Sequence, residues 1–264
     1  FSEGFARVTE GNLWFFIDKK GNILANQVYN EAWDFYEGFA RVKKKGKWFF
    51  IDKTGNPISE ERYSNVNNFS AGLAIVEKNG KWFHINRTGD AIYEDRYDIV
   101  NGFFGGFATV KKGDHWFHID QSGKKINGKE YGYVERFFYG FAVVQDGAKW
   151  FHINKTGDAI YDDRYDGANS FHDGFAAVKK DGKWFHIDQF GRPLYNERYD
   201  NANNFHEGRA TVSEHGQLFF IDKFGKPFSV EIYGSAGVFS GCIANVVKDT
   251  RAFHIDKKGR RVFG

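Results

Sequence analysis

The stretch Gly46-Lys47-Trp48-Phe49-Phe50-Ile51-Asp52-Lys53-Thr54-Gly55 recurs eight times along the chain, with small changes, at a constant spacing of 34 residues. Every copy keeps the Phe that follows the Trp position and the Gly that ends the stretch. These residues are Phe15, Phe49, Phe83, Phe117, Phe151, Phe185, Phe219 and Phe253, and Gly21, Gly55, Gly89, Gly123, Gly157, Gly191, Gly225 and Gly259. A fixed period of this length indicates a repeat protein in which one supersecondary unit stacks on the next.

The unbroken phase of the repeat predicts one continuous array of β-hairpin units. We therefore expect a single repeat domain, 1–264, rather than two unrelated domains. Its units span approximately 1–34, 35–68, 69–102, 103–136, 137–170, 171–204, 205–238 and 239–264.

One repeat contains the pattern of a β-hairpin. Phe39 to Lys43 alternates between apolar and polar side chains, which is typical of a short strand. Lys44-Lys45-Gly46 then has the composition of a turn, and Lys47 to Asp52 reads as the second strand. The linking segment that follows contains a further strand candidate around Tyr63. No part of the repeat shows the period of a helix.

The second strand of the predicted hairpin is apolar on both faces. Trp48 and Phe50 point one way, and Phe49 and Ile51 point the other, since side chains alternate along a strand. A sheet with one face in water would carry polar residues on that face. We therefore expect each hairpin to be covered on both faces, by the preceding and the following repeat.

The predicted fold class is all-β, with tandem 34-residue units arranged most simply as a closed β-propeller-like ring. The constant unit length favours a ring, and so does the apolar first copy, because an open array usually ends in a polar cap. An open β-solenoid of stacked hairpins is the alternative. In each unit, Asp52 or its equivalent should open a tight turn whose last residue, Gly55 or its equivalent, needs a positive φ.

The composition excludes some classes of partner. The chain has 37 Lys or Arg against 34 Asp or Glu, a net charge of +3, so we expect no nucleic-acid partner. No apolar run approaches the ~20 residues of a membrane-spanning helix, so no membrane span is expected either.

The chain starts at Phe1 in mid-repeat and contains no Met, which we interpret as a piece of a longer protein. Localisation is therefore left without a prediction.

The repeated string resembles a known family. The order of its motifs is similar to that of the bacterial WG repeat family, also called KWG repeats. These motifs are Gly-Lys-Trp, Ile-Asp-Lys-Thr-Gly, Arg-Tyr-Asp and Phe-x-x-Gly-x-Ala-x-Val. The difference is that Trp48 precedes Phe49 rather than Gly, and every other copy also has Phe there, so the chain would be a variant. The resemblance implies a β-rich repeat module that binds or scaffolds, without a shared catalytic site.

Histidine recurs at one position of five copies. These residues are His84, His118, His152, His186 and His254, where other copies have Phe16, Phe50 and Phe220. A set of imidazoles at equivalent positions could bind metal or titrate near pH 6.5. The alternative, which we favour, is a half-buried ring that replaces Phe and uses a nitrogen for a hydrogen bond. We therefore predict no metal site.

Arginine precedes the linker Tyr in four copies, as Arg62, Arg96, Arg164 and Arg198. These side chains could form a charged rim that contacts a partner. An ion pair with the Asp that follows the Tyr, as in Asp98, would instead clip neighbouring repeats together, and we favour this structural interpretation.

The Trp of the repeat, present in six copies from Trp14 to Trp184, could similarly stack on a sugar or pack in the core. We expect core packing, because Leu218 replaces Trp in one copy and Leu cannot stack on a sugar.

No catalytic constellation emerges, because the His, Asp and Glu residues recur with the repeat whereas an active site needs one asymmetric cluster. We expect no enzyme and no cofactor, but a non-catalytic binding or scaffold module with a protein partner. Docking is expected on linker residues and turn tips that differ between copies: Trp33-Asp34, Tyr36, Asn67-Asn68 and Asn203-Asn204. The alternative is a lectin-like or cell-wall glycan-binding module that uses exposed aromatic residues.

Overall fold

A computed structural model describes residues 1–228 and 231–263. The described residues form strands and turns, and none of them is helical. The strands are β1 Phe5–Glu10, β2 Leu13–Asp18, β3 Glu31–Ala32, β4 Ala40–Lys44, β5 Lys47–Ile51, β6 Asn65–Val66, β7 Ala74–Lys78, β8 Lys81–Ile85, β9 Ile99–Val100, β10 Phe107–Lys112, β11 His115–Asp120, β12 Tyr133–Val134, β13 Phe141–Asp146, β14 Lys149–Asn154, β15 Gly167–Ala168, β16 Ala176–Lys180, β17 Lys183–Ile187, β18 Asn201–Ala202, β19 Ala210–Glu214, β20 Gln217–Ile221, β21 Ser235–Ala236, β22 Ile243–Lys248, β23 Arg251–Asp256 and β24 Arg261–Phe263.

Each repeat forms one small antiparallel sheet. In the second repeat the two-residue strand β3 pairs with β4, and β4 pairs with β5, with Val42 opposite Phe49. The same three-stranded order recurs in the next five sheets, while β1 and β2 form a two-stranded sheet and β21 to β24 a four-stranded one. The predicted hairpin is confirmed, although β4 starts one residue later, at Ala40, and β5 ends one residue earlier, at Ile51.

The chain divides into two compact units, Phe1–Lys125 and Ile126–Gly264. Four of the described sheets lie in each unit. The all-β tandem array of hairpin sheets is therefore confirmed, and it is consistent with a propeller-like ring and with an open solenoid. In the part of the chain that the structure describes, no helix is long and apolar enough to cross a membrane.

Both faces of the hairpin are covered by neighbouring repeats, as predicted. The ring of Phe50 meets that of Phe69 in the following repeat, with centroids 4.8 Å apart. The ring of Phe49 meets that of Tyr29 in the preceding repeat at 6.2 Å. Trp48, Phe49, Phe50 and Ile51 are all buried. A single repeat has no other way to remove these side chains from water, so its stability depends on its neighbours.

The linking segment belongs to two sheets at once. Tyr63 exchanges two backbone hydrogen bonds with Trp48, each 2.9 Å long, which extends the edge of the preceding sheet. The next residue, Ser64, donates its N–H to the carbonyl of Glu77 in the following sheet at 2.8 Å. Successive sheets are thus joined by backbone hydrogen bonds as well as by packing.

The tight turn after the hairpin has the predicted chemistry. The Asp52 Oδ1 atom accepts the backbone N–H groups of Thr54 at 2.9 Å and of Asn56 at 3.0 Å. Partial burial raises the pKa of Asp52, but these hydrogen bonds favour the carboxylate, and the net pKa lies below its ordinary value. Gly55 ends the turn with a φ of 85°, a conformation that glycine adopts without strain.

The turn glycine also gives room for the preceding repeat. A Cβ atom added to Gly123 would lie 2.5 Å from the Cβ of Tyr93, which is closer than real Cβ contacts. The same approach joins Ala25 to Gly55, Ser59 to Gly89, Asn127 to Gly157, Tyr161 to Gly191, and Tyr195 to Gly225. The glycine is therefore required by inter-repeat packing in addition to backbone conformation.

Replacing Gly123 with Ala should destabilise the protein by about 3 kcal/mol, because overpacking adds to the strain of a positive φ. The Gly80→Ala variant is the matched control, since Gly80 has a φ of 74° but no atom within 4 Å of an added Cβ. It should cost only about 1 kcal/mol. Urea unfolding measures both free energies. Equal losses for the two variants would contradict the proposed role of the close approach.

Candidate functional site

The arginines of the linker lie flat on aromatic rings. The Arg96 guanidinium carbon is 3.8 Å from the ring centroid of Phe83. Its Nη1 atom donates to the backbone carbonyls of Tyr93 at 3.0 Å, Glu94 at 2.7 Å and Asp95 at 3.0 Å. These hydrogen bonds stabilise the linker turn, so the guanidinium group of Arg96 mainly contacts the protein's own backbone.

The same arrangement holds for the other predicted arginines. The guanidinium carbon lies over Phe49 at 4.2 Å in Arg62, over Phe151 at 4.0 Å in Arg164, and over Phe185 at 3.8 Å in Arg198. A planar guanidinium on a ring face combines cation–π attraction with dispersion. These contacts give the four arginines a structural role, whichever partner the surface binds.

The predicted ion pair between these arginines and the following Asp is wrong. Asp98 pairs with Lys81, and Asp200 pairs with Lys183 at 2.5 Å. The second oxygen of Asp98 accepts the backbone N–H of Gly113, at the hairpin turn of the following repeat, at 2.7 Å. The Asp is therefore held by a hairpin turn and a lysine, while the Arg is held by Phe and turn carbonyls.

Cavities lie beside the linker arginines Arg96 and Arg198, and a similar one lies beside Arg261, which stands at a different position of the repeat. One has a volume of about 440 Å³, and its lining includes Glu61, Lys78, Lys81 and Arg96. Equivalent cavities of about 320 Å³ and 560 Å³ occur beside Arg198 and Arg261. Lys78 is paired with Glu61, so the charges of the cavity are balanced locally. The lining offers polar contacts to a small group but no nucleophile paired with a base.

We expect Arg198→Lys to destabilise the protein by about 1–3 kcal/mol, because lysine keeps the charge but loses three carbonyl bonds. Lys183→Gln removes an exposed ion pair from the same cavity and should leave the free energy of unfolding nearly unchanged. Thermal unfolding of both variants makes the comparison. If the arginine variant were as stable as the wild type, the structural role would be refuted.

The recurring histidines lie mainly in the core. His84, His118, His152 and His186 are buried, whereas His254 is exposed. Within residues 1–228 and 231–263, no three His, Cys, Asp or Glu side chains come together in the manner of metal ligands.

Two of the buried imidazoles bond at both nitrogens. The His152 Nε2–H donates to the carbonyl of Asn169 at 2.9 Å. Its Nδ1 therefore accepts the hydroxyl hydrogen of Tyr161. His186 repeats this pattern with Asn203 and Tyr195, and His84 bonds through Nδ1 to Tyr93 at 2.7 Å. In His152 and His186 the neutral imidazole therefore has no free nitrogen for a ligand, whereas the buried Nε2 atom of His84 has no hydrogen-bond partner.

The partner of the histidine was missed in the sequence, although a signal was present. Nine residues after His84, His152 and His186 stands Tyr93, Tyr161 and Tyr195 respectively. Nine residues after Phe16 and Phe50 stands a small residue, Ala25 and Ser59. In these copies a polar ring comes with a hydroxyl donor and an apolar ring with a small neighbour, whereas Asn127 follows His118 and Phe263 follows His254 at the same spacing. This pairing between positions would have predicted the buried hydrogen bond.

Burial lowers the pKa of His84, His152 and His186 to about 4, although a backbone hydrogen bond acts in the opposite direction in each. Unfolded imidazoles take up protons below about pH 6.5, and folded ones do so only near pH 4. Stability is therefore complete above pH 6.5 and falls towards pH 4. Each histidine contributes at most about 3 kcal/mol to this fall.

A double variant isolates the histidine contribution from that of the carboxylates, which also titrate in this range. His152→Phe with Tyr161→Ser reproduces the natural Phe50–Ser59 pair and should reduce the loss of stability between pH 6.5 and 4.5. His152→Phe alone should cost about 1–3 kcal/mol at pH 7, because the Tyr161 hydroxyl loses its acceptor. Urea unfolding across this pH range is the measurement. An unchanged pH dependence in the double variant would disprove the assignment.

All five predicted docking residues of the first unit are exposed: Trp33, Asp34, Tyr36, Asn67 and Asn68. Trp33 is 46% exposed and Tyr36 is 53% exposed. The guanidinium of Arg41 lies 4.2 Å from the Trp33 ring, and that of Arg7 lies 5.7 Å from it. In the second unit Asn203 is exposed but its side chain donates to the hydroxyl of Thr211, and Asn204 is partly buried.

The Trp of the repeat is largely covered. Trp48 is buried, and Trp14, Trp82, Trp116, Trp150 and Trp184 are partly buried. The Trp150 ring packs against Tyr133, with centroids 5.6 Å apart. The indole ring of Trp184 packs against the backbone of Gly167, where an added Cβ atom would lie 3.4 Å from the ring. This series therefore contributes to packing of the sheets, as expected.

Comparison with solved structures finds all-β relatives of low sequence identity. A eukaryotic initiation factor matches 98% of this chain and 84% of its own length, with 12% identity and a TM-score of 0.51. Hsv2 from Kluyveromyces lactis matches 83% of this chain and 90% of its own, with 10% identity and a TM-score of 0.43. At such identity the initiation factor supports a shared fold and nothing about activity. Among curated proteins no match is found.

The family itself is established by the repeats. Six tandem segments match the family described as WG containing repeat: residues 14–48, 48–82, 85–116, 116–150, 153–184 and 187–217. The matched segments cover most of the chain and follow the hairpin sheets described above. The Trp-Phe pair in place of Trp-Gly is accommodated because the Phe ring fills the space against the preceding repeat, as Phe49 does on Tyr29. The chain belongs to the WG repeat family.

Proposed function

We propose that this repeat array is a non-catalytic module that binds a protein partner through the surface around Trp33 and Tyr36. The supporting observation is that the exposed Trp33 ring lies against the guanidinium groups of Arg7 and Arg41. Trp33 also departs from the repeat, since the next two copies have Asn at this position. Trp, Tyr and Arg are the residue types that most often dominate the binding energy of protein interfaces.

The layer beneath Trp33 is specific to the first unit. At the positions of Trp33 and Arg41, a later repeat of the same unit has Asn101 and Thr109, whose side chains bond to each other at 2.8 Å. The Trp–Arg pair therefore replaces a local hydrogen bond by an exposed aromatic surface. Replacing the Asn–Thr hydrogen bond by the Trp–Arg pair adds little to the stability of the chain, but it offers a partner a large contact area.

The surface is also held in a fixed geometry. Trp33 donates its backbone N–H to the carbonyl of Arg41 at 3.0 Å. Glu37, next to Tyr36, accepts the backbone N–H groups of Ala71 at 2.7 Å and Gly72 at 2.8 Å in the following repeat. Because the backbone is already ordered, a partner would lose little conformational entropy on binding.

Photo-crosslinking tests the proposal directly. A benzophenone amino acid placed at residue 36 should capture one protein from source lysate, identified by mass spectrometry. The complex should weaken by about tenfold or more in Trp33→Asn, which introduces the residue found in neighbouring repeats, because a central aromatic contact is lost. Tyr139→Ser, which removes an exposed aromatic side chain from the other unit, serves as the control and should bind normally.

Two results would reject the proposal. One is equal recovery of the partner with wild type and Trp33→Asn. The other is recovery of a glycan without a dominant protein, together with quenching of Trp fluorescence by sugar, which would favour the lectin-like alternative.

A further inference from the structure

Two phenylalanines stand at turn tips of the second unit with most of their surface in water. Phe190 is 72% exposed and Phe224 is 63% exposed. Equivalent turns carry Thr54, Thr88, Ser122 and Thr156. The Thr54 hydroxyl donates to Asp52 at 2.5 Å, so Phe at this position gives up a local hydrogen bond.

The turns that carry these rings are firmly seated. Asp188 accepts the backbone N–H of Phe190 at 2.9 Å, and Asp222 accepts that of Phe224 at 2.9 Å. A Cβ at the following glycine would lie 2.7 Å from the ring of Tyr161 in one turn and of Tyr195 in the other. The two rings are therefore presented by ordered turns at equivalent positions of neighbouring sheets.

The edge formed by the turns 188–192, 222–226 and 256–260, here called the Phe-tipped edge, is basic. It carries six Lys or Arg residues and three Asp. These cations are Arg192, Lys223, Lys226, Lys257, Lys258 and Arg260. Each Asp turns one oxygen towards the backbone N–H groups of its own turn. Arg192 and Arg260 each pair with the Asp of their own turn, and Lys257 pairs with Glu207, so the edge's cations without an ion pair within the described residues are Lys223, Lys226 and Lys258. The guanidinium carbon of Arg192 and the ammonium nitrogen of Lys223 lie 4.9 Å and 5.2 Å from the rings of Phe190 and Phe224.

Isolated exposed aromatic rings beside basic residues favour a lipid surface over a protein as the partner of this edge. The residues next to the two rings are Gln189, Arg192, Lys223 and Lys226, so the rings do not belong to a contiguous apolar patch. A stable protein interface usually buries such a patch at its centre. A bilayer makes no demand on shape: aromatic rings enter the interfacial region, while Lys and Arg contact anionic headgroups.

We propose that the Phe-tipped edge docks on the surface of an anionic phospholipid bilayer, with Phe190 and Phe224 inserted between the headgroups. This activity goes beyond the proposed protein binding and involves a different unit. It would hold a protein-binding surface at a membrane.

Vesicle co-sedimentation tests the proposal. The wild type should bind phosphatidylcholine vesicles that contain phosphatidylglycerol, and should bind pure phosphatidylcholine at least about tenfold more weakly, because the cations lose their partners. Binding should also weaken in about 0.5 M salt. Phe190→Thr with Phe224→Thr should reduce binding by about tenfold or more while keeping the thermal unfolding temperature, since Thr occupies this position in other repeats. Tyr139→Ser is the control and should bind as the wild type does.

Insertion has its own readout. A tryptophan introduced as Phe190→Trp should be quenched by brominated lipids in anionic vesicles. Three outcomes would overturn the proposal: no binding of the wild type at low salt, equal binding of the double Thr variant, or no quenching at residue 190. Capture of a protein by a crosslinker at residue 224, without vesicle binding, would assign the edge to a protein partner instead.

Discussion

The structure depends on the close approach between a linker residue and the turn glycine of the next repeat. Each hairpin is apolar on both faces and cannot be stable alone, so neighbouring sheets must pack tightly. The approach of Tyr93 to Gly123 leaves no space for even one methyl group. The same spacing must also place Trp48 beside Tyr63 and Phe50 on Phe69. Contacts fixed at several points of one junction explain why the period of 34 residues tolerates no insertion.

Variation inside the core follows from the same junction. The linker residue at this junction, Ser59 or Tyr93, differs between repeats together with the ring nine residues before it, Phe50 or His84. A small side chain accompanies the apolar ring, and a hydroxyl donor accompanies the imidazole. A buried polar group that lacked its partner would cost more than the hydrogen bond contributes. The repeats therefore differ in chemistry while they keep the same backbone and the same spacing.

Features confined to one repeat could be predicted from the sequence, and contacts between distant positions could not. The hairpin from Ala40 to Ile51 and the turn held by Asp52 follow from alternation and from turn chemistry over a few residues. The contact of Arg96 with Phe83 could not be predicted, because Asp98 and Phe83 recur along the chain with the same period of 34 residues. Sequence spacing alone did not distinguish these two partners. The exposure of Trp33 and Tyr36 was anticipated, but that of Phe190 and Phe224 was overlooked, since Phe elsewhere in the repeat is mostly core.

Function in such an array has to arise from departures from the repeat, because repeated residues are already used in holding it together. Two departures have the same form. Trp33 stands where Asn101 forms a hydrogen bond, and Phe190 stands where Thr54 forms one. In both cases a polar side chain that stabilises its own repeat is replaced by an exposed aromatic ring beside cations. Since water is a poor environment for that ring, the exchange favours a bound state over the free one. A protein surface and a lipid surface both satisfy this condition.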